Sequence, residues 1–256
     1  MSVEQRDLAG GVRVLTLHNP PANAFDQALR DELAAACDAA RTDARVRAVV
    51  VTGAGRFFSG GLDLKAVSAG SRADVFGMDF GRNDGAFALW TLPKPTVAMV
   101  NGHAIAGGGI ICLACDIRIA ARSGLKIGLN EVAIGLSFPT GAYEIALSAL
   151  GERHARRVLL EAGLYDVDTA RQLGLIDDVV EPADLERVCI DRARLLGSYG
   201  QAAYADTKRS LQRDAVRRVV NETEEQRRAT RQIWSSPETK GAIAAQLAKV
   251  SGTTRT

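Results

Sequence analysis

In the first half of the chain, short apolar runs alternate with longer amphipathic ones. Residues 12–17, VRVLTL, alternate as a half-buried strand does. The stretch 18–26, HNPPANAFD, holds two prolines and two asparagines and predicts irregular backbone. Asp26 then stands where a helix N-cap belongs. Leu29, Leu33 and Cys37 recur every four residues behind it and form one apolar stripe. AVVVTG (48–53), TVAMVNG (96–102) and DIRIAA (116–121) are continuous apolar runs, the pattern of strands buried on both faces. Helical patterns lie between them, and this alternation predicts βαβ or ββα units with parallel pairing. From about residue 140 helical periodicity dominates, broken once by IDDVV (176–180), and 200–250 reads as helix throughout. The expected organisation is an α/β core over 1–197 and a helical region over 198–256. No low-complexity linker separates the two, so the helices should pack on the core or on another subunit.

Composition narrows the class. A chain of 256 residues can bury one large core, and 46% hydrophobic with 24% charged residues is ordinary for a soluble globular protein. A net charge of +2 gives no reason to expect a dedicated nucleic-acid or membrane-surface protein. The most basic stretch, TKRSLQRDAVRRVV (207–220), sets Arg213, Arg217 and Arg218 at helical spacing. Asp206 and Asp214 interrupt it, which favours a solvated helix face over an RNA surface. Cys37, Cys112, Cys115 and Cys189 are too few for a disulfide framework. Cys112-x-x-Cys115 lies in an apolar run without a second pair, so buried packing is expected rather than metal or redox chemistry. The longest apolar stretch, 104–115, is far short of the ~20 residues that span a bilayer. With a polar N-terminus unlike a signal or transit peptide, these features place the chain in the cytoplasm.

VVVTGAGRFFSGG (49–61) starts like a dinucleotide fingerprint but misplaces the third glycine, and neither a P-loop nor a G-x-S-x-G elbow is present. His18, His103 and His154 are dispersed and make no metal-ligand spacing. What remains is two glycine-bearing turns, FFSGGLDLK (57–65) and NGHAIAGGG (101–109), each after a buried strand. Each can free a backbone N–H at the start of a helix, where the first donors have no intrahelical partner. Two such donors converging on one point make an oxyanion hole. Glycines that only permit close packing would give the same pattern, and the spacing leaves both open.

The ordered motifs NPPANAF, GRFFSGGLDL, VNGHAIAGGG, CDIRIA and IGLNEVAIGL resemble the crotonase family, the enoyl-CoA hydratases and isomerases, collinearly from about residue 8 to 182. The resemblance implies a spiral of ββα units with a helical C-terminal region used in assembly as a homotrimer or hexamer. It implies acyl-CoA thioester substrates, coenzyme A being part of the substrate, and no separate cofactor. Carried over residue by residue, it makes the N–H groups of Leu62 and Gly107 the oxyanion-hole donors, with Gly60 and Gly108 beside them. It sets Lys65 near the CoA adenosine. Phe80, Phe87 and Trp90 fall where the acyl pocket varies in the family; they either line the acyl chain or belong to the core. His103 and Asp63 read as structural, the latter as a helix cap.

Hydratases of the family use two glutamates. One lies three residues past the hole glycine, where this chain has Ile110; the other corresponds to Glu131 in GLNEV. Hydration divides water activation and proton delivery between two carboxylates. A single carboxylate suffices to move a proton from C2 to C4 of a 3-enoyl thioester. The expected activity is therefore Δ3,Δ2-enoyl-CoA isomerisation, with Glu131 as the proton shuttle and an apolar pocket raising its pKa. The alternatives are a hydratase with a relocated second acid, for which Asp79 and Asp84 are the candidates; another CoA-thioester reaction of the family that uses the same hole, such as decarboxylation, thioester hydrolysis or dehalogenation; and an RNA-binding protein built on the same fold.

Overall fold

A computed structural model describes residues 2–64 and 84–253. Strand β1 (Val3–Leu8) pairs antiparallel with β2 (Val12–Leu17). The polar sequence of β1 hid it from the periodicity, since four of its six side chains face solvent. Strands β3 (Ala48–Gly53), β5 (Thr96–Val100), β7 (Ile117–Ala121) and β9 (Asp178–Val180) then join in parallel, giving a six-stranded sheet ordered β1-β2-β3-β5-β7-β9. Strands β4 (Phe57–Ser59), β6 (His103–Ile105) and β8 (Ile127–Gly128) form a second, three-stranded parallel sheet. From β3 onward, consecutive strands are dealt alternately to the two sheets, which is the expected ββα spiral.

The predicted strand over 96–102 ends early, at Val100. Asn101 accepts from the Gly53 amide (3.0 Å) and the Thr52 hydroxyl (3.1 Å), so its side chain ties off β3 and the chain turns into β6. Gly102 fits there only without a side chain, because a methyl would lie 2.1 Å from the Arg56 carbonyl.

Helix α1 (Gln27–Thr42) starts where expected, with the Asp26 carboxylate accepting from the Leu29 amide at 2.9 Å. Helices α2 (Gly85–Trp90), α3 (Gly107–Leu113), α4 (Thr140–Glu161), α5 (Val167–Gln172) and α6 (Leu185–Ser198) follow. The helical tail divides into α7 (Gln201–Val220), α8 (Glu224–Trp234) and α9 (Pro237–Thr253). Thr223 and Gln226 form a capping box that starts α8, and Pro237 opens α9 at a position with no amide bond to lose.

This region packs on its own core. Lys208 Nζ meets Asp116 at 2.9 Å, Gln212 donates to the Trp90 carbonyl at 2.8 Å, and Arg218 grips Glu144 through two bonds of 2.6 and 2.8 Å. Helices α8 and α9 fold back over the turn that carries Glu131. There Ile134, Leu136, Trp234 and Ile243 make a small apolar cluster apart from the main core, with Leu62 and Leu64 packed against it. Among the described residues no helix is long and apolar enough to cross a membrane.

Candidate active site

The two glycine turns meet. Gly61 follows β4 with φ +80, and a methyl on it would lie 2.6 Å from the Ile105 carbonyl and 2.9 Å from the Gly107 nitrogen. Only glycine lets the turns approach this closely. Gly107 opens α3, so its N–H has no intrahelical acceptor. A methyl on Gly107 would sit 3.8 Å from the Leu62 nitrogen. The amides of Leu62 and Gly107 are thus neighbours, and neither donates to a protein acceptor among the described residues.

The glycine triplet divides its work. On Gly108 a methyl would fall 2.1 Å from the Ser59 carbonyl, and on Gly109 one would fall 2.7 Å from the Leu129 side chain. These two glycines allow α3 to pack on β4 and Leu129. Gly108, expected beside the substrate, has its α-carbon packed against Ser59. On Gly107 a methyl meets only ordinary contacts, at 3.5 Å or more. Gly60 donates its amide to the Ala22 carbonyl at 2.7 Å and belongs to the contact with the 18–26 loop.

Ala106, which the sequence did not single out, has φ 52 and ψ −123. A Cβ is strained in this region, at a cost of roughly 1–3 kcal/mol. The conformation turns the chain from β6 into α3 and sets the direction of the Gly107 amide. The Ala106 amide donates to the Gly128 carbonyl (2.9 Å), so the strained residue is anchored from its own backbone.

Glu131 follows β8 at the head of a single 3₁₀ turn. Its carbonyl accepts from the amides of Ile134 (3.0 Å) and Leu136 (2.9 Å), and Gly135 at φ +76 ends the turn. The side chain is 6% exposed and lines one cavity with Phe25, Leu62, Gly107, Ile110, Phe138 and Trp234. Its Oε2 has no hydrogen-bond partner. Burial pushes the carboxyl from 4.5 up to about 8, and a bond from its own amide offsets only part of this. Ile110 is 4% exposed in the same cavity. A buried carboxylic acid with one unbonded oxygen therefore shares a largely apolar chamber with two adjacent amides.

Asp84 also lines this cavity. It caps α2 by accepting from the Ala86 amide (2.7 Å) and lies 3.4 Å from the buried guanidinium of Arg30, which in turn sits 4.9 Å from the centre of the Phe25 ring. Phe87 faces the cavity, while Trp90 stands behind it with ring centroids 5.9 Å apart. Lys65, Asp79 and Phe80 lie outside the described residues. The His103 ring accepts from the Lys126 amide at 2.9 Å and packs on Phe57, a structural role. Cys112 and Cys115 are buried free thiols, the former pushed up to about 12 by burial. Among the described residues no cluster could hold a metal ion.

A larger cleft of about 460 Å³ lies between α4 and α7. Its carboxylate, Asp116, is taken by Lys208, the Tyr204 hydroxyl (3.0 Å) and the Thr96 amide (2.9 Å). Size alone does not identify the site; a buried acid with an unbonded oxygen and no cation beside it does. On α7 the candidate RNA face is partly spent, since Arg218 is held by Glu144, and Arg213 donates to Ser210.

Comparison with known proteins gives the family and the fold. Over 126 residues the chain is 39% identical to a probable enoyl-CoA hydratase of Bacillus subtilis, a match spanning 49% of this chain and 48% of that one. Over 241 residues it is 28% identical to a probable enoyl-CoA hydratase of Rhizobium meliloti, covering 94% and 93% of the two chains. Its fold superposes on human mitochondrial delta3-delta2-enoyl-CoA isomerase with a TM-score of 0.91 at 24% identity, over 99% of both chains. Residues 7–249 match the family model described as enoyl-CoA hydratase/isomerase, and the chain belongs to that family, the crotonases.

Proposed function

We propose that the chain shifts the double bond of a 3-enoyl-CoA to the 2 position, using Glu131 as the only proton carrier and the Leu62 and Gly107 amides as the oxyanion hole. The observation that carries this is the cavity itself. Among the described residues it holds one carboxyl with no cation beside it, that of Glu131, and an isoleucine stands where a second acid would serve hydration. Asp84, the other acid there, is committed to the α2 cap and to Arg30.

The thioester oxygen accepts from both amides. Ionised Glu131 removes a proton from C2, and the electron pair moves into a dienolate whose oxygen carries the charge. Preorganised donors contribute on the order of 10²–10³ in rate to such a step. Protonated Glu131 then returns the proton to C4, and the double bond settles between C2 and C3. No atom is gained or lost. An acid near 8 is matched to this exchange, strong enough as a base to take the proton and weak enough to give it back.

A product assay on trans-3-hexenoyl-CoA and trans-2-hexenoyl-CoA, resolved by mass, tests the proposal. Isomerisation of the first without gain of water, and slow hydration of the second, is the expected result. Efficient hydration would favour the second reading, a hydratase in which Asp84 supplies the other acid; the names of the curated relatives point that way. Assembly as a homotrimer or hexamer belongs to the same proposal, and sedimentation as a stable micromolar monomer would contradict it.

A further inference from the structure

Apart from Phe25, which lines the cavity, the NPPANAF segment has no role in the chemistry described so far, yet it is bonded to the first glycine turn. Asn23 is 2% exposed and left-handed, with φ 51. Asparagine tolerates that backbone better than most residues. Its side-chain amide donates to the carbonyls of Ala54 (2.9 Å) and Phe57 (2.8 Å), and its side-chain oxygen accepts from the Asn19 amide (3.1 Å). Its own carbonyl accepts from the Ser59 hydroxyl at 2.7 Å, and that hydroxyl oxygen accepts from the Gly61 amide at 3.2 Å. On either side of Asn23, Gly60 donates to the Ala22 carbonyl (2.7 Å) and Phe25 donates to the Gly61 carbonyl (2.8 Å).

The last of these bonds decides a direction. A trans peptide is planar, so the Gly61 carbonyl and the Leu62 N–H point opposite ways from one rigid plate. Fixing that carbonyl on the Phe25 amide fixes where the Leu62 N–H points. The Ser59 hydroxyl fixes the preceding plate through the Gly61 amide. Ser59 is fully buried, and its carbonyl also sets how closely α3 approaches through Gly108. Both donors of the proposed hole are therefore referenced to one serine and one asparagine that line no part of the cavity.

We infer that Asn23 is a positioning residue for the oxyanion hole: by locking the 18–26 loop onto the 57–61 turn through Ser59, it aims the Leu62 amide at the thioester oxygen. The inference rests on the proposed hole. A misaimed donor loses contact mainly with the charged oxygen of the dienolate, so the loss should fall on kcat and leave KM near its original value.

The test uses Asn23→Asp, which keeps size but sets a carboxylate against carbonyls, and Ser59→Ala, which removes the bridging hydroxyl alone. With trans-3-hexenoyl-CoA, kcat should fall by roughly 10² in the first and about 10-fold in the second, with KM within about threefold. The rising limb of the pH profile, set by Glu131, should stay in place. If Asn23→Asp does not fold, Ser59→Ala decides. A folded variant with wild-type kcat, or one whose kcat and KM change together, overturns the positioning role. Glu131→Gln, assayed in parallel, separates the two levels. If it loses activity while the Asn23 and Ser59 variants keep theirs, only the positioning role fails; if it too keeps activity, the proposed site fails.

Discussion

Replacing Glu131 by glutamine should make the protein less active and, above neutral pH, more stable. The carboxyl stands about 3.5 units above its ordinary 4.5, at about 8, because it is buried. One unit is worth about 1.36 kcal/mol, so ionising it in the folded chain costs about 5 kcal/mol more than in the unfolded chain. The sign follows from proton binding. Between pH 4.5 and 8 the folded chain keeps a proton that the unfolded chain has released, so stability falls as pH rises across that window. Integrated from pH 5 to pH 8 the loss is about 3–4 kcal/mol. Glutamine carries no such proton and fills the same space. Urea unfolding of both proteins across pH 5–8.5 should show the wild type losing this amount relative to Glu131→Gln. Turnover of the variant should drop ~10²–10⁴-fold, the usual worth of a general acid–base. Parallel stability curves would mean that Glu131 is not held dry in the folded protein, and the argument from burial would fail.

Two further substitutions separate glycine for chemistry from glycine for packing, and a third separates strain from ordinary helix. Gly107→Ala should fold with near-normal stability, because the new methyl meets nothing closer than 3.5 Å, but kcat should fall as the methyl crowds the hole. Gly108→Ala should fail to fold or melt far lower, since its methyl would lie 2.1 Å from the Ser59 carbonyl; equal melting of the two variants would refute the division. Ala106→Gly should melt at or above the wild type, because glycine accepts φ 52 without strain, whereas Ala203→Gly in α7 should lose about 1 kcal/mol. A loss at Ala106 matching that at Ala203 would show the strain to be absent.

Most of the spiral was legible because its strands are buried on both faces. Runs such as AVVVTG (48–53) carry that signal in consecutive residues, and Asp26 announced α1. Strand β1 was silent: an edge strand with outward polar side chains has no apolar period to read. The tail was read as helical without its breaks, because a capping box and a proline inside charged sequence resemble ordinary helix surface. Of the proposed site, Glu131, Leu62 and Gly107 follow from motif order, and the fold brings them to one cavity. Ala106 and Asn23 do not follow from it, because nothing in an alanine or a loop asparagine encodes a positive φ or a set of carbonyl partners. Gly61 and Gly108 show the same limit, for sequence reveals that backbone must come close but not which atom it meets.

The dry acid and the hole make opposite demands, and the chain meets them with different parts. The amides must stay unpaired to receive a substrate oxygen, so they sit at a junction of turns where the first turn of α3 has donors to spare. The carboxyl must be kept from water, and the spiral alone does not enclose it. Trp234 from α8 lines its cavity and donates to the Ser137 carbonyl at 2.9 Å, while Thr239 from α9 donates to the Gly135 carbonyl at 2.7 Å. The 131–139 segment is thus tied at both of these points to the C-terminal helices. A methyl on Gly135 would come within 3.0 Å of the Thr239 backbone, so that contact is close as well as bonded. The helices expected from sequence to serve assembly are, within one chain, part of what encloses Glu131, and in the proposed mechanism the tail serves the chemistry beside the glycine turns.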